Sequence, residues 1–141
     1  MKVLAVKDFK EMSQFAAAMI SHQVKEKPNS VLGLATGGTV VGTYEELIRD
    51  HKQNKTSYEN IQTVNLDEYL GIDKDHPNSY HHFMMENLFS HININQDNIH
   101  IPNGLANNYE EESIKYEKVI SDLGGVDLQL LGIGVNGHIG F

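Results

Sequence analysis

Cysteine is absent from this sequence, which excludes a disulfide framework, a thiolate nucleophile and any Cys-based zinc site, and fits a reducing cytoplasm. Basic residues are scarce: 11 Lys and Arg stand against 19 Asp and Glu, a formal net charge of −8. That is the wrong sign for a protein that neutralises nucleic-acid phosphates over a wide surface, although a local anion site stays open. Long apolar runs are missing too. No segment approaches the roughly 18 apolar residues that a membrane span needs. The opening "MKVLAVKDFKEM" is broken by charges and lacks the apolar core of a signal peptide. Internal repeats and low-complexity stretches are also lacking. The expectation is a soluble, cytoplasmic chain with no nucleic-acid and no membrane partner.

What is present is ordinary globular composition: 40% hydrophobic and 21% charged residues. A chain of 141 residues makes one domain, burying about 68–70% of the surface it would expose unfolded. Short apolar runs alternate with amphipathic stretches. "KVLAV" (Lys2–Val6) reads as a strand, and Phe9, Met12, Phe15, Ala16, Met19 and Ile20 follow at helical spacing. "SVLGLA" (Ser30–Ala35) reads as a buried strand, then Tyr44, Leu47 and Ile48 share a helix face, and "IQTVNL" (Ile61–Leu66) is the next strand. Ser79 is placed to cap a helix carrying Phe83, Met84 and Leu88, and "NIHIP" is short and extended. Tyr109, Tyr116, Ile120 and Leu123 form one helical stripe, with acids in the first turns and Gly124 at the end. "VDLQLLGIG" reads as a last buried strand. This pattern predicts an α/β fold, doubly wound and Rossmann-like, with a mostly parallel sheet and helices on both faces. Ligands of such sheets sit beyond the carboxyl ends of the strands, near a topological switch point.

Three polar clusters should converge there. In "LATGGT" two glycines let the backbone approach an anion at a helix N-terminus, and Thr36 and Thr39 flank Gly37 and Gly38 with hydroxyl donors. The stretch has neither the Lys-Ser/Thr of a P-loop nor G-x-G-x-x-G, so nucleotide binding is not indicated. In "NLDEY", Asp67 and Glu68 stand where a strand ends, and a partly desolvated carboxylate there can serve as a general base. Adjacent residues on extended backbone face opposite ways, so at most one of the two points into the site. In "GIGVNGHIGF", His138 is suited to proton transfer near neutrality, and Asn136, which does not titrate, can orient the imidazole or a substrate hydroxyl. Each cluster alone has an ordinary alternative: a conformational glycine turn, two solvated acids, a surface histidine. The other seven histidines do not suggest a metal site, since His81 and His82, adjacent on a helix, point about 100° apart.

Taken together, "LATGGT", "NLDEYLG", "HPNSYHHFM", "IHIPNG" and "LLGIGVNGHIGF" occur in an order and spacing that closely resembles the bacterial glucosamine-6-phosphate deaminases, over nearly the whole chain. The resemblance implies conversion of D-glucosamine 6-phosphate and water to D-fructose 6-phosphate and ammonia in amino-sugar catabolism. It implies a hydrolase acting on a carbon–nitrogen bond, a sugar-phosphate partner, and no metal or organic cofactor. Thr36, Gly37, Gly38 and Thr39 would help hold the sugar phosphate, with the backbone near Gly132 lining the sugar. His138 would open the pyranose ring. Asp67 would move a proton from C2 to C1 through an enediol-type intermediate.

Two departures from the family pattern matter. Some members carry Asp where this chain has Asn136; the amide keeps the hydrogen bond but lacks the charge that favours an imidazolium, which implies a less basic His138 and a shifted pH optimum. Members also continue past the "GHIGF" segment with a Glu that assists ring opening and Arg and Lys residues that meet the phosphate. Residues 1–141 are therefore expected to be the N-terminal part of a single sugar-phosphate isomerase/deaminase domain, inactive or nearly so alone, with an apolar sheet face left exposed. A homo-oligomer is an expectation for the full-length protein only. The rival enzyme is 6-phosphogluconolactonase, whose Gly-His loop usually continues toward an Ala-Ser pair. The rival of another class is a sugar-phosphate sensor domain, against which stand the retention of Asp67 and His138 and the lack of room for a DNA-binding segment before Lys2.

Overall fold

A computed structural model describes residues 1–141. In chain order the elements are α1 (Phe9–Glu26), β1 (Val31–Leu34), α2 (Gly38–Asn54), β2 (Gln62–Asn65), α3 (Tyr80–Asn87), β3 (Ile99–His100), α4 (Tyr109–Asp122) and β4 (Leu128–Gln129), with two short 3-10 turns between α3 and β3. The four strands form one parallel sheet in the order β3-β2-β1-β4. The connections through α2 and α3 each step outward in one direction, whereas α4 carries the chain back across the sheet to the far side of β1. With right-handed crossovers this puts α2 and α3 on one face and α4 on the other. The reversal falls between β1 and β4, which is the switch point.

Local sequence explains the helix ends. Asp8 caps α1 by accepting from the Glu11 N–H at 2.8 Å, while Glu11 Oε2 accepts from the Lys7 N–H at 2.7 Å, a reciprocal arrangement that satisfies two donors. Ser79 caps α3, its Oγ accepting from the His82 N–H at 2.9 Å. Asn108 accepts from Glu110 and Glu111 at the start of α4, where Glu110, Glu111 and Glu112 also suit the helix dipole. Gly124 and Gly125, both at φ +87°, end it.

The core lies between α1, α2, α3 and one face of the sheet. Leu32 and Leu34 of β1 pack with Ala17, Ile20 and Val24 of α1, Val40, Tyr44 and Leu47 of α2, and Met84 of α3. Truncating a fully buried leucine such as Leu47 to alanine should cost about 2–5 kcal/mol, since lost transfer energy and a residual cavity add.

Two sequence expectations are corrected. Lys2–Val6 is not a strand: no strand of the sheet pairs with it, and Val3 and Leu4 are exposed. Its β-branched residues supply propensity, but a strand exists only where a neighbour completes its ladder. The final apolar run is not a buried strand. Only Leu128 and Gln129 join the sheet, paired to β1 on one side alone, and Leu131 and Ile133 are exposed. The helical stripe of α4 forms as expected and runs from the exposed Tyr109 to the half-buried Tyr116, Ile120 and Leu123, with no fully buried residue in the helix. As expected, an apolar surface is uncovered: Met12, Ala16 and Met19 of α1 and Leu131, Ile133 and Ile139 line an open groove of about 480 Å³ beside β4. No helix is long and apolar enough to cross a membrane.

Candidate functional site

The loops that follow β1, β2 and β4 meet around a cavity of about 460 Å³ at the switch point. Thr36, Gly37, Gly38 and Thr39 form one wall, Asp67 another, and Gly132 and His138 the third. Of the polar residues singled out in the three clusters, Glu68 and Asn136 do not line the cavity; Asn136 acts on His138.

Gly37 is the N-cap of α2, at φ +102°, a conformation that side-chain-bearing residues rarely adopt. No side chain caps this helix. The N–H groups of Gly38 and Thr39, which have no backbone acceptor, are therefore left for an anion, with the positive end of the dipole behind them, while that of Val40 donates to the Gly37 carbonyl at 3.3 Å. The root of the loop is fixed by the buried Tyr44, whose hydroxyl donates to the Ala35 carbonyl and accepts from the Ala35 N–H. Burial drives this phenol far above its ordinary pKa, so it stays neutral.

Of the two adjacent acids only Asp67 lines this cavity, as expected. Asp67, half-buried, lines the cavity. Burial, and then the charge of Glu68, hold its carboxyl above the usual carboxylate range, which makes it a stronger base than a solvated aspartate. Glu68 turns to the N-terminus of α3, where it accepts from the backbone N–H groups of Tyr80 and His81 at 2.8 and 3.0 Å. The strand end beneath them has its own phenol: Tyr116 of α4 accepts from the Asn65 N–H at 3.0 Å, and its hydroxyl lies 2.8 and 2.9 Å from the carbonyl oxygens of Asn65 and His100.

His138 is set by its loop. Asn136 Oδ1 accepts from the His138 backbone N–H at 3.3 Å and from its ring Nδ1, so the proton sits on Nδ1 and Nε2 is left free to accept one. The imidazole packs on Gly134, where a Cβ would come within 2.3 Å of the ring, and the turn closes through Gly137 at φ +85°. Gly132 lies so close to Thr39 that a Cβ there would meet its Oγ1 at 2.4 Å, which ties the first wall to the third.

Several contributors were not legible as site residues. Tyr80 of α3 lines the cavity beside Thr36 and Asp67 and stacks on Tyr69 with ring centroids 4.6 Å apart. Its hydrogen bond with Tyr69, burial and the charge of Asp67 push its phenol up to about 12. Asn65, buried at the end of β2, also lines the cavity, and its side-chain oxygen and nitrogen have no protein partner. Tyr44 and Tyr116 act through backbone. In sequence Asn65 reads as a strand residue and Tyr44 and Tyr116 as members of apolar helix faces, because a hydrogen bond from a phenol to distant backbone leaves no mark on a hydrophobic pattern. No lysine or arginine lines the cavity, so an anion there is met only by N–H groups and hydroxyls. No group of three or more His, Asp or Glu side chains is placed to hold a metal ion.

Residues 7–140 match the family model described as glucosamine-6-phosphate isomerases/6-phosphogluconolactonase. The glucosamine-6-phosphate deaminase of Geobacillus sp. (strain WCH70) is 59% identical over 141 residues, all of this chain and 56% of the relative. A solved monomeric glucosamine-6-phosphate deaminase superposes with a TM-score of 0.97 at 52% identity, covering 100% of this chain and 58% of that one. A 6-phosphogluconolactonase from Thermotoga maritima shares the fold at a TM-score of 0.76 and 24% identity. The chain thus spans a little over half the length of the deaminases it matches.

Proposed function

Because the chain belongs to the glucosamine-6-phosphate isomerase/6-phosphogluconolactonase family, we propose that its site serves the deaminase branch, converting D-glucosamine 6-phosphate and water to D-fructose 6-phosphate and ammonia. The observation that carries this reading is the convergence of a desolvated carboxylate, Asp67, and an oriented imidazole, His138, on one cavity walled by the open N-terminus of α2.

The N–H groups and hydroxyls of residues 36–39 hold the phosphate. His138 Nε2 takes the proton of the anomeric hydroxyl and hands it to the ring oxygen as the bond from that oxygen to C1 breaks and a C1 carbonyl forms, opening the pyranose. Asp67 then removes the proton from C2, and the electron pair moves into a C1–C2 double bond whose oxygen on C1 is protonated. Return of the proton to C1 leaves an imine at C2. Water adds to that carbon, and the amine departs as ammonia. With water consumed and a carbon–nitrogen bond broken, the net change is formally a hydrolysis, although its chemical core is an aldose–ketose isomerisation. The raised basicity of Asp67 suits the second step, since a C2 proton is weakly acidic. Charged sugar phosphates are retained inside cells, which makes the cytoplasm the proposed location.

The test is a parallel assay, in a form of the protein that runs the full length of its deaminase relatives, of wild type and Asp67→Asn for ammonia release from glucosamine 6-phosphate and for hydrolysis of 6-phosphogluconolactone, with binding measured by calorimetry. Ammonia release abolished by Asp67→Asn is the expected result. Lactone hydrolysis alone would transfer the site to the other branch of the family, and tight sugar-phosphate binding without either reaction would make it a sensor.

A further inference from the structure

The two adjacent acids of "NLDEY" have separate roles. Glu68 Oε1 accepts from the N–H groups of Tyr69 at 2.9 Å and Tyr80 at 2.8 Å, and Oε2 accepts from that of His81 at 3.0 Å. The Tyr80 and His81 donors belong to the first turn of α3 and have no acceptor within the helix. A carboxylate at this end is favoured by both the charge-assisted hydrogen bonds and the dipole. The side chain next to Asp67 is thereby bolted to a helix that begins twelve residues later. A second strap holds the same loop: the Gly71 N–H donates to the Gly104 carbonyl at 2.8 Å, and a Cβ on Gly104 would fall 2.2 Å from the Tyr69 carbonyl oxygen.

We propose that Glu68 is a positioning residue: by tying the Asp67 loop to the first turn of α3 it sets where the Asp67 carboxylate stands in the cavity, and it places a negative charge beside it. The catalytic meaning of this assignment rests on the reading of Asp67 as the C2 base. The remaining titratable groups around Asp67 are Tyr80 from α3, His138 from the loop after β4, and Tyr109, Glu112, Tyr116 and Glu117 from α4. No lysine or arginine lines the cavity on either side. Glu68 is thus the charge that acts on Asp67 most directly, in line with the upward displacement of the Asp67 pKa.

The experiment is a carboxyl-carbon NMR titration of Asp67 in the 141-residue chain, combined with amide hydrogen exchange at Tyr80 and His81. Neither readout needs turnover. Glu68→Gln removes the charge and keeps one acceptor oxygen, which can serve only one of the two sites, so the Asp67 midpoint should fall toward the ordinary aspartate value while exchange stays slow at one of the Tyr80 and His81 amides and accelerates at the other. Glu68→Ala removes the acceptor as well, and exchange at both amides should accelerate at least about tenfold. Should Glu68→Ala fail to fold, the Glu68→Gln titration decides alone. An Asp67 midpoint that does not move in Glu68→Gln overturns the proposal, as does unchanged exchange in a folded Glu68→Ala. If the midpoint moves as expected but Asp67→Asn leaves ammonia release intact, Glu68 keeps its place and the reading of Asp67 as base fails.

Discussion

At the scale of single residues, the chemistry of the third wall depends on glycines that contribute no side chain. Gly134 is the floor on which the His138 ring lies, so Gly134→Ala should displace the imidazole while leaving the core untouched. The expected outcome in this chain is an altered His138 imidazole chemical shift with a melting temperature within a few degrees of wild type, and, on the proposed function, loss of ammonia release in a protein of its relatives' full length. Asn136 poses a separate question, because it holds the ring proton on Nδ1 without carrying a charge. Asn136→Asp would keep that hydrogen bond and add a negative charge that favours the imidazolium. On the proposed mechanism a histidine that must be neutral to accept the anomeric proton would then need higher pH, so the acidic limb of the pH–rate profile, where activity rises with pH, should move to higher pH; an unchanged profile would show that the charge does not reach the reacting proton.

At the scale of elements, two tyrosines hold the strand ends from which site loops depart. Tyr44→Phe leaves both polar groups of Ala35 without the hydroxyl that serves them in the interior, and should cost about 1–3 kcal/mol in urea unfolding. If the loss stays below a few tenths of a kcal/mol, the clamp is not a structural necessity. These contacts also mark where sequence reading stops. Strand ends and their polar loops were legible, because "TGGT", "DEY" and "NGH" each interrupt an apolar run with residues that suit a turn and a ligand. The cap at Ser79 was legible for the same local reason. Lys2–Val6 and the last strand were misread, since β-propensity is a property of a segment whereas a ladder is a property of two. Tyr80 was missed for a different reason: it opens a helix and shows its role only once α3 is laid beside Thr36 and Asp67.

At the scale of the whole molecule, acid should loosen the junction of α1 and α2 before the site. Burial raises the Asp50 carboxyl, but hydrogen bonds from Asn54, Thr56, Ser21 and Lys25 outweigh it and bring it down to about 2. A carboxyl lowered by folding stabilises the fold above its unfolded value, 3.8, and that contribution is lost as pH falls from there through about 2. Asp50→Asn should therefore lower the melting temperature at neutral pH and flatten its fall below pH 4; parallel wild-type and variant curves would refute this. The open groove beside β4 should bind a hydrophobic dye, and Met19→Lys combined with Ile133→Lys should abolish most of the signal. The phenol clamps matter at this scale as well. Tyr44 and Tyr116 anchor the loops that carry Thr36 and Asp67, but no tyrosine grips the backbone at the end of β4, a strand of two residues. Two of the three walls are in this respect pinned to the sheet by phenols, so the spacing between the α2 N-terminus and Asp67 is inherited from the strands, whereas the wall bearing His138 takes its place from its own turn and from the seating of Gly132 against Thr39.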